Sequence, residues 1–177
     1  IRELDHYDPR VEAYRVVRTS LQFLDPDHHA GQSSKVYVVT SAVPGEGKTT
    51  TAINLALILA EGGEKVALVE ADLRRPTFSE YLDLDPARGL TTTLIRRTTL
   101  AEASQELGAL DVLTSGKRPP NPAELVKSEA MRELIAQPQR LDGAQRLGAG
   151  THQPGKLEAA AQRRNRWGQR GLAAGKA

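Results

Sequence analysis

The run Ala42-Val-Pro-Gly-Glu-Gly47-Lys48-Thr49 constrains this chain more than any other stretch. It has the spacing of a phosphate-binding loop, with Ala42 at the position of the first glycine. Gly45 and Gly47 let the backbone bend back, so that successive N–H groups point inward and wrap phosphate oxygens. Such a loop works between a strand and a helix, and both are expected here. Val36-Tyr-Val-Val-Thr40 reads as a short strand, apolar nearly throughout and therefore buried on both faces. A helix from about Thr49 to Glu61 follows, adds its positive end to the loop, and is stopped by Gly62-Gly63. Val66–Ala71 reads as a second strand, which completes a βαβ unit with parallel strands. The expected fold class is α/β: a P-loop NTPase-type, three-layer αβα arrangement with a mainly parallel sheet, incomplete at the C-terminus.

The flanking segments extend this grammar. In residues 9–24, Val11, Tyr14, Val17, Leu21 and Leu24 recur at steps of three or four, as in an amphipathic helix, with Pro9 in its first turn. Glu12, Arg15 and Arg18 form a charged stripe beside the apolar one. Residues 25–34 are a polar connector. Residues 76–107 read as loops and short helices, and Leu110–Thr114 as a third strand. Asn121 suits an N-cap, Pro122 the first helical position and Glu124 a capping-box acid, opening one helix that runs to about Ile135.

Beyond residue 136 the pattern stops. Residues 136–177 hold 9 Ala, 7 Gly and a single aromatic, Trp167. Charge changes at the same point: residues 1–135 carry 16 Lys+Arg against 20 Asp+Glu, and residues 136–177 carry 8 against 2. The overall balance of +2 argues against a protein that coats nucleic acid, and no nucleic-acid partner is expected. The absence of cysteine excludes disulfides, thiolate zinc sites and a cysteine nucleophile. No apolar run approaches the ~18 residues of a membrane span. Three segments are therefore expected: 1–34, an N-terminal helix and connector; 35–136, the P-loop domain; and 137–177, a basic low-complexity tail.

Chemistry concentrates at two places. Pro44, Gly45, Glu46, Gly47, Lys48, Thr49 and Thr50 form the expected nucleotide-binding loop. Lys48 is expected to reach the β- and γ-phosphates of a bound nucleotide, and the Thr49 hydroxyl to ligate Mg²⁺. The second place is Glu70-Ala-Asp72-Leu-Arg74, at the carboxyl end of the second strand, where ligands bind in open α/β sheets. If the strand continues that far, Glu70 and Asp72 share a face and both address the metal. Asp72 is placed to bind Mg²⁺ through water or to take a proton from an attacking hydroxyl, and Arg74 to touch phosphate or pair with an acid.

Together these motifs resemble the bacterial tyrosine kinases of capsule and exopolysaccharide synthesis. The helix motif Glu12-x-x-Arg15-x-x-Arg18, the loop Thr40–Thr50 and the run Glu70-x-Asp72-x-Arg74 are similar to three family motifs in the right order, over roughly residues 8–136. Thr114-Ser-Gly116 and Pro119–Leu125 also look like family sequence. The resemblance implies an ATP- and Mg²⁺-dependent autokinase in which Lys48 and Asp72 are catalytic. It implies that Glu12, Arg15 and Arg18 lie at subunit contacts of a ring. It also implies work at the cytoplasmic face of the cell membrane, with a membrane-spanning chain-length regulator or activator of polysaccharide export reached through a partner or a missing membrane segment. The opening Ile1 suits a piece cut from a longer chain.

The sequence departs from the family pattern in three ways. Glu70 stands where an Asp is usual. No third acidic motif follows residue 136. The tyrosines are Tyr7, Tyr14, Tyr37 and Tyr81, none of them in the tail. An impaired kinase is therefore expected, and a marginally stable chain. The change near residue 137 suggests either a reading-frame error in a GC-rich gene or a real basic tail. Two other functions remain open: a partitioning-type P-loop ATPase switch, and a non-catalytic nucleotide-binding adaptor of a membrane polysaccharide exporter. Partitioning-type relatives usually carry an extra Lys near the loop's start, where this chain has Ala42-Val43-Pro44.

Overall fold

The computed structural model describes residues 9–23 and 35–136. The expectations for the connector at 25–34 and for the tail after residue 136 lie outside the described residues. Helix α1 is Pro9–Phe23, α2 Lys48–Glu61, and strand β1 Val66–Val69. Three short helices follow: α3 Phe78–Leu82, α4 Leu90–Leu94 and α5 Leu100–Ala103. Strands β2 (Gln105–Leu107) and β3 (Leu110–Leu113) precede α6 (Pro122–Val126) and α7 (Glu129–Ala136).

The sheet has the order β1-β3-β2. β1 and β3 run parallel, with Val66 opposite Leu110 and Val69 opposite Leu113. β2 is antiparallel to β3 and reaches it through the two residues Gly108-Ala109. The sheet is thus mixed, and its parallel pair is β1–β3 rather than the expected pairing of Val36–Thr40 with Val66–Ala71.

Side-chain alternation along the strands builds the layers. Leu68 of β1 and Leu110 and Val112 of β3 join Leu107 of β2 in a cluster with Ile53 and Ala56 of α2 and Phe78 and Leu82 of α3. Val69 and Leu113, one residue on, join Leu90 and Leu94 of α4, Ala103 of α5 and Met131 of α7. Helices therefore cover both faces, which gives the αβα architecture expected.

The strand expected at Val36–Thr40 is absent from this sheet: residues 35–40 form no ladder. Val36, Tyr37 and Val38 are exposed, Val38 to 83%. A strand buried on both faces needs a paired edge and a layer on each side. Among the described residues nothing supplies these to 36–40, so apolar composition alone does not make it a strand. The βαβ unit expected from this segment is accordingly not formed. β1 is also shorter than Val66–Ala71, ending at Val69.

The single helix expected from Pro122 to Ile135 is two. Ser128 divides them: its Oγ donates to Leu125 O at 2.7 Å and accepts from Met131 N at 3.3 Å. A serine bonding to nearby backbone competes with helix continuation and caps the next helix.

Candidate functional site: the loop before α2 and the turn after β1

Two glycines shape the loop. Gly45 and Gly47 have φ of 87° and 92°, in the left-handed region that a Cβ disfavours. Gly47 is the N-cap of α2, and its carbonyl accepts the first helical bond, from Thr51 N at 2.8 Å. Lys48, Thr49 and Thr50 then fall in the first turn, half-buried. The loop carries its own braces: the Glu46 carboxylate accepts from Val43 N at 3.1 Å, and Ser41 Oγ donates to Val43 O at 3.0 Å. Pro44 and Gly45 lie exposed at its crest. The expected loop residues are thus together and contiguous with a helix start, the arrangement that binds phosphate through backbone N–H groups.

The acidic segment differs from expectation. The chain leaves the strand after Val69, and Glu70 turns inward while Asp72 stays exposed, so the two do not share a strand face. Glu70 is 3% exposed. Its Oε1 accepts from Thr77 N and from Phe78 N, the latter at 2.8 Å, and its Oε2 accepts from Ser115 N at 2.9 Å. One carboxylate therefore joins the end of β1, the start of α3 and the segment after β3. The turn has two causes: this set of donors, and the burial of Leu73 in the second cluster. Asp72 Oδ1 accepts from Arg74 N at 3.3 Å and Arg75 N at 3.0 Å, an Asx-type turn that holds Asp72 and Arg74 at the surface.

Thr77 was not singled out from the sequence, yet it links the two halves of the site. Its Oγ1 lies 3.1 Å from Thr49 Oγ1. The available signal was Thr77-Phe-Ser-Glu80, which has capping-box spacing. Thr77 is indeed the N-cap of α3, but its side chain makes no cap bond.

The charged stripe of α1 divides. Glu12 and Arg15 form an ion pair of 3.4 Å at the surface. Arg18 turns toward the body, where Nη1 donates to Ile58 O at 3.2 Å near the end of α2. Val11 is buried, and α1 rests on α2.

As to Mg²⁺, no group of three or more His, Cys, Asp or Glu side chains among the described residues is placed to hold a metal. Mg²⁺ is commonly bound through nucleotide phosphates and water with one or two protein oxygens. The half-buried Thr49 hydroxyl and the exposed Asp72 carboxylate are donors of the hard oxygen type it takes.

A glycine-shaped loop opening a helix beside a two-sided α/β sheet defines a P-loop nucleotide-binding domain. The chain belongs to the CobQ/CobB/MinD/ParA nucleotide-binding domain family, whose model matches residues 37–156. Its relatives include tyrosine-protein kinases. It is 46% identical over 125 residues to the tyrosine-protein kinase YwqD of Bacillus subtilis, covering 70% of this chain and 51% of that one. The chimerical protein CapA2B2 superposes with a TM-score of 0.68 at 33% identity, over 77% of this chain and 59% of that one. The kinase domain of the Escherichia coli tyrosine kinase ETK gives 0.66 at 33% identity, over 75% and 51%. The chain spans about half the length of YwqD and 17% of the Escherichia coli kinase etk.

Proposed function

We propose that this chain is an ATP-dependent protein-tyrosine kinase domain of the type that regulates capsular and exopolysaccharide chain length and export. The observation that carries the reading is the geometry at the start of α2. Gly45 and Gly47 turn the loop, Lys48 and Thr49 follow in the first helical turn, and Thr49 meets the segment after β1. The likeness to proteins named tyrosine-protein kinases favours phosphoryl transfer to tyrosine over simple hydrolysis.

On this reading the loop N–H groups and the Lys48 ammonium hold the β- and γ-phosphates. Thr49 and Asp72 would hold Mg²⁺, which would neutralise charge on those phosphates. The tyrosine oxygen attacks the γ-phosphorus, a new O–P bond forms, and the bond to the β–γ bridging oxygen breaks to release ADP. Asp72 takes the phenolic proton. Glu70, committed to three backbone N–H groups, holds this frame together. The third acidic motif is missing from the sequence, so a low rate with retained nucleotide binding is expected. Residues 1–34 serve self-association into a ring, with Glu12 and Arg15 outward and Arg18 tying α1 to α2. Residues 35–136 are the kinase portion. The membrane partner is a chain-length regulator at the inner face of the cell membrane.

The test is phosphotyrosine formation with Mg·ATP and a tyrosine-bearing acceptor, with Lys48→Met as control. Lys48-dependent phosphotyrosine supports the reading. ATP hydrolysis without phosphotyrosine would transfer the chain to the partitioning-type switches, and nucleotide binding without either would make it an adaptor.

A further inference from the structure

Thr77 occupies the N-cap of α3 and begins a Thr-x-x-Glu capping sequence, yet its hydroxyl makes no cap bond. The reason lies in Glu70. The Glu70 carboxylate accepts the N–H groups of Thr77 and Phe78 and so does the capping itself, from outside the helix. The Thr77 hydroxyl is thereby released from the helix end, and it stands 3.1 Å from Thr49 Oγ1. A hydroxyl has one proton and two lone pairs. If Thr49 is to present a lone pair to Mg²⁺, its proton must point elsewhere, and a nearby acceptor decides where.

We infer that Thr77 is a positioning residue for the metal: it accepts the Thr49 hydroxyl proton and so turns a Thr49 lone pair toward Mg²⁺. Glu70 fixes Thr77 in that position through the backbone. The inference rests on the nucleotide-binding reading above and names a residue that the phosphate loop itself does not contain. Groups that orient a metal ligand commonly change metal affinity by ~10–100-fold when removed.

The experiment is calorimetric titration of ADP into the full 177-residue chain, with and without MgCl₂. Four proteins are compared: the unaltered chain, Thr77→Val, Thr77→Ser and Lys48→Met. In the unaltered chain Mg²⁺ tightens ADP binding. In Thr77→Val that tightening falls by ~10-fold, while affinity without Mg²⁺ stays within about twofold; Thr77→Ser restores it. Three results overturn the inference alone: unchanged tightening in Thr77→Val, equal loss of affinity with and without Mg²⁺, or no restoration by serine. A chain whose ADP binding is indifferent both to Mg²⁺ and to Lys48→Met overturns the nucleotide reading itself, and this inference with it.

Discussion

Glu70 satisfies three backbone N–H groups with two oxygens at a position 3% exposed. Buried polar groups are costly mainly when left unpaired. In Glu70→Gln, one carboxylate oxygen becomes an NH₂ donor. If that group faces Ser115 N, two donors oppose each other. The expected loss is ~1–3 kcal/mol, read from chemical denaturation; an unchanged midpoint would show that Ser115 N finds another acceptor. The sequence revealed that an acid stands here but not its task, because the three donors come from residues 7, 8 and 45 positions away. The phosphate loop was legible for the opposite reason: Gly45, Gly47, Lys48 and Thr49 lie within five residues, and the left-handed backbone at Gly45 and Gly47 is a local demand that the sequence shows directly. Gly89 is a second residue that only tertiary structure explains. Its backbone is extended, a conformation any residue adopts, but a Cβ there would lie 2.3 Å from Thr114 O and 2.4 Å from Gly116 N. The contact exists because Leu90 N donates to Thr114 O and Thr91 N to Ser115 O, drawing the two segments together. Gly89→Ala should cost ~1–3 kcal/mol by overpacking, again in the denaturation midpoint.

At the scale of elements, α5 shows a short helix held by its own cap. Thr99 Oγ1 accepts from Glu102 N at 3.3 Å, and the Glu102 carboxylate accepts from Thr99 N at 2.7 Å. The Thr99 N–H, then the Thr99 hydroxyl, and more weakly the Arg88 charge, hold the Glu102 carboxyl below the ordinary glutamate value of 4.5. A carboxylate with a lowered pKa in the folded state stabilises that state above the unfolded value and ceases to do so as pH falls through the folded one. The cap is therefore intact at neutral pH and loosens only in acid below 4.5. An NMR titration of the Glu102 carboxyl checks this. Its midpoint should lie below 4.5, and Thr99→Val should recover part of the shift, because the larger contribution, the backbone N–H, remains. Elements of this kind were legible when local signals agreed. α2 begins at a glycine turn and ends at Gly62-Gly63, and α6 begins at Pro122. β2 was missed because Gln-Glu-Leu has no strand character of its own. It is held by pairing with β3 and by Gln105, whose Oε1 accepts from Asp85 N and whose Nε2 donates to Asp85 O.

At the scale of the whole molecule, two core clusters meet across the sheet, at β1 through Leu68 and Val69 and at β3 through Val112 and Leu113. Val112 belongs to the first and Leu113 to the second, and both are essentially without exposure. The three-layer class was legible because short apolar strand-like runs and helical segments follow one another around the phosphate loop; the extent of the sheet was not. Val36-Tyr-Val-Val-Thr40 has the composition of a central strand but takes no place in the ladder. Composition records what a segment tolerates, whereas pairing requires a neighbour elsewhere in the chain, and the first cannot report the second. The two arrangements make opposite predictions for Val38→Lys. With Val38 83% exposed, a lysine there should change stability by no more than ~0.5 kcal/mol, as at ordinary surface positions. Were Val38 inside a two-sided sheet, a buried unpaired ammonium would cost several kcal/mol. Equilibrium denaturation of the substituted chain distinguishes them. A loss of several kcal/mol would mean that another part of the protein covers this segment and that the sheet extends beyond β1-β3-β2. Leu110→Ala calibrates the scale: Leu110 sits in the first cluster at 1% exposure, and its truncation should cost ~2–5 kcal/mol. A Val38→Lys loss near zero beside a Leu110 loss of that size would place the stabilising core in the three strands and the helices packed on them, and would leave residues 36–40 to position the phosphate loop.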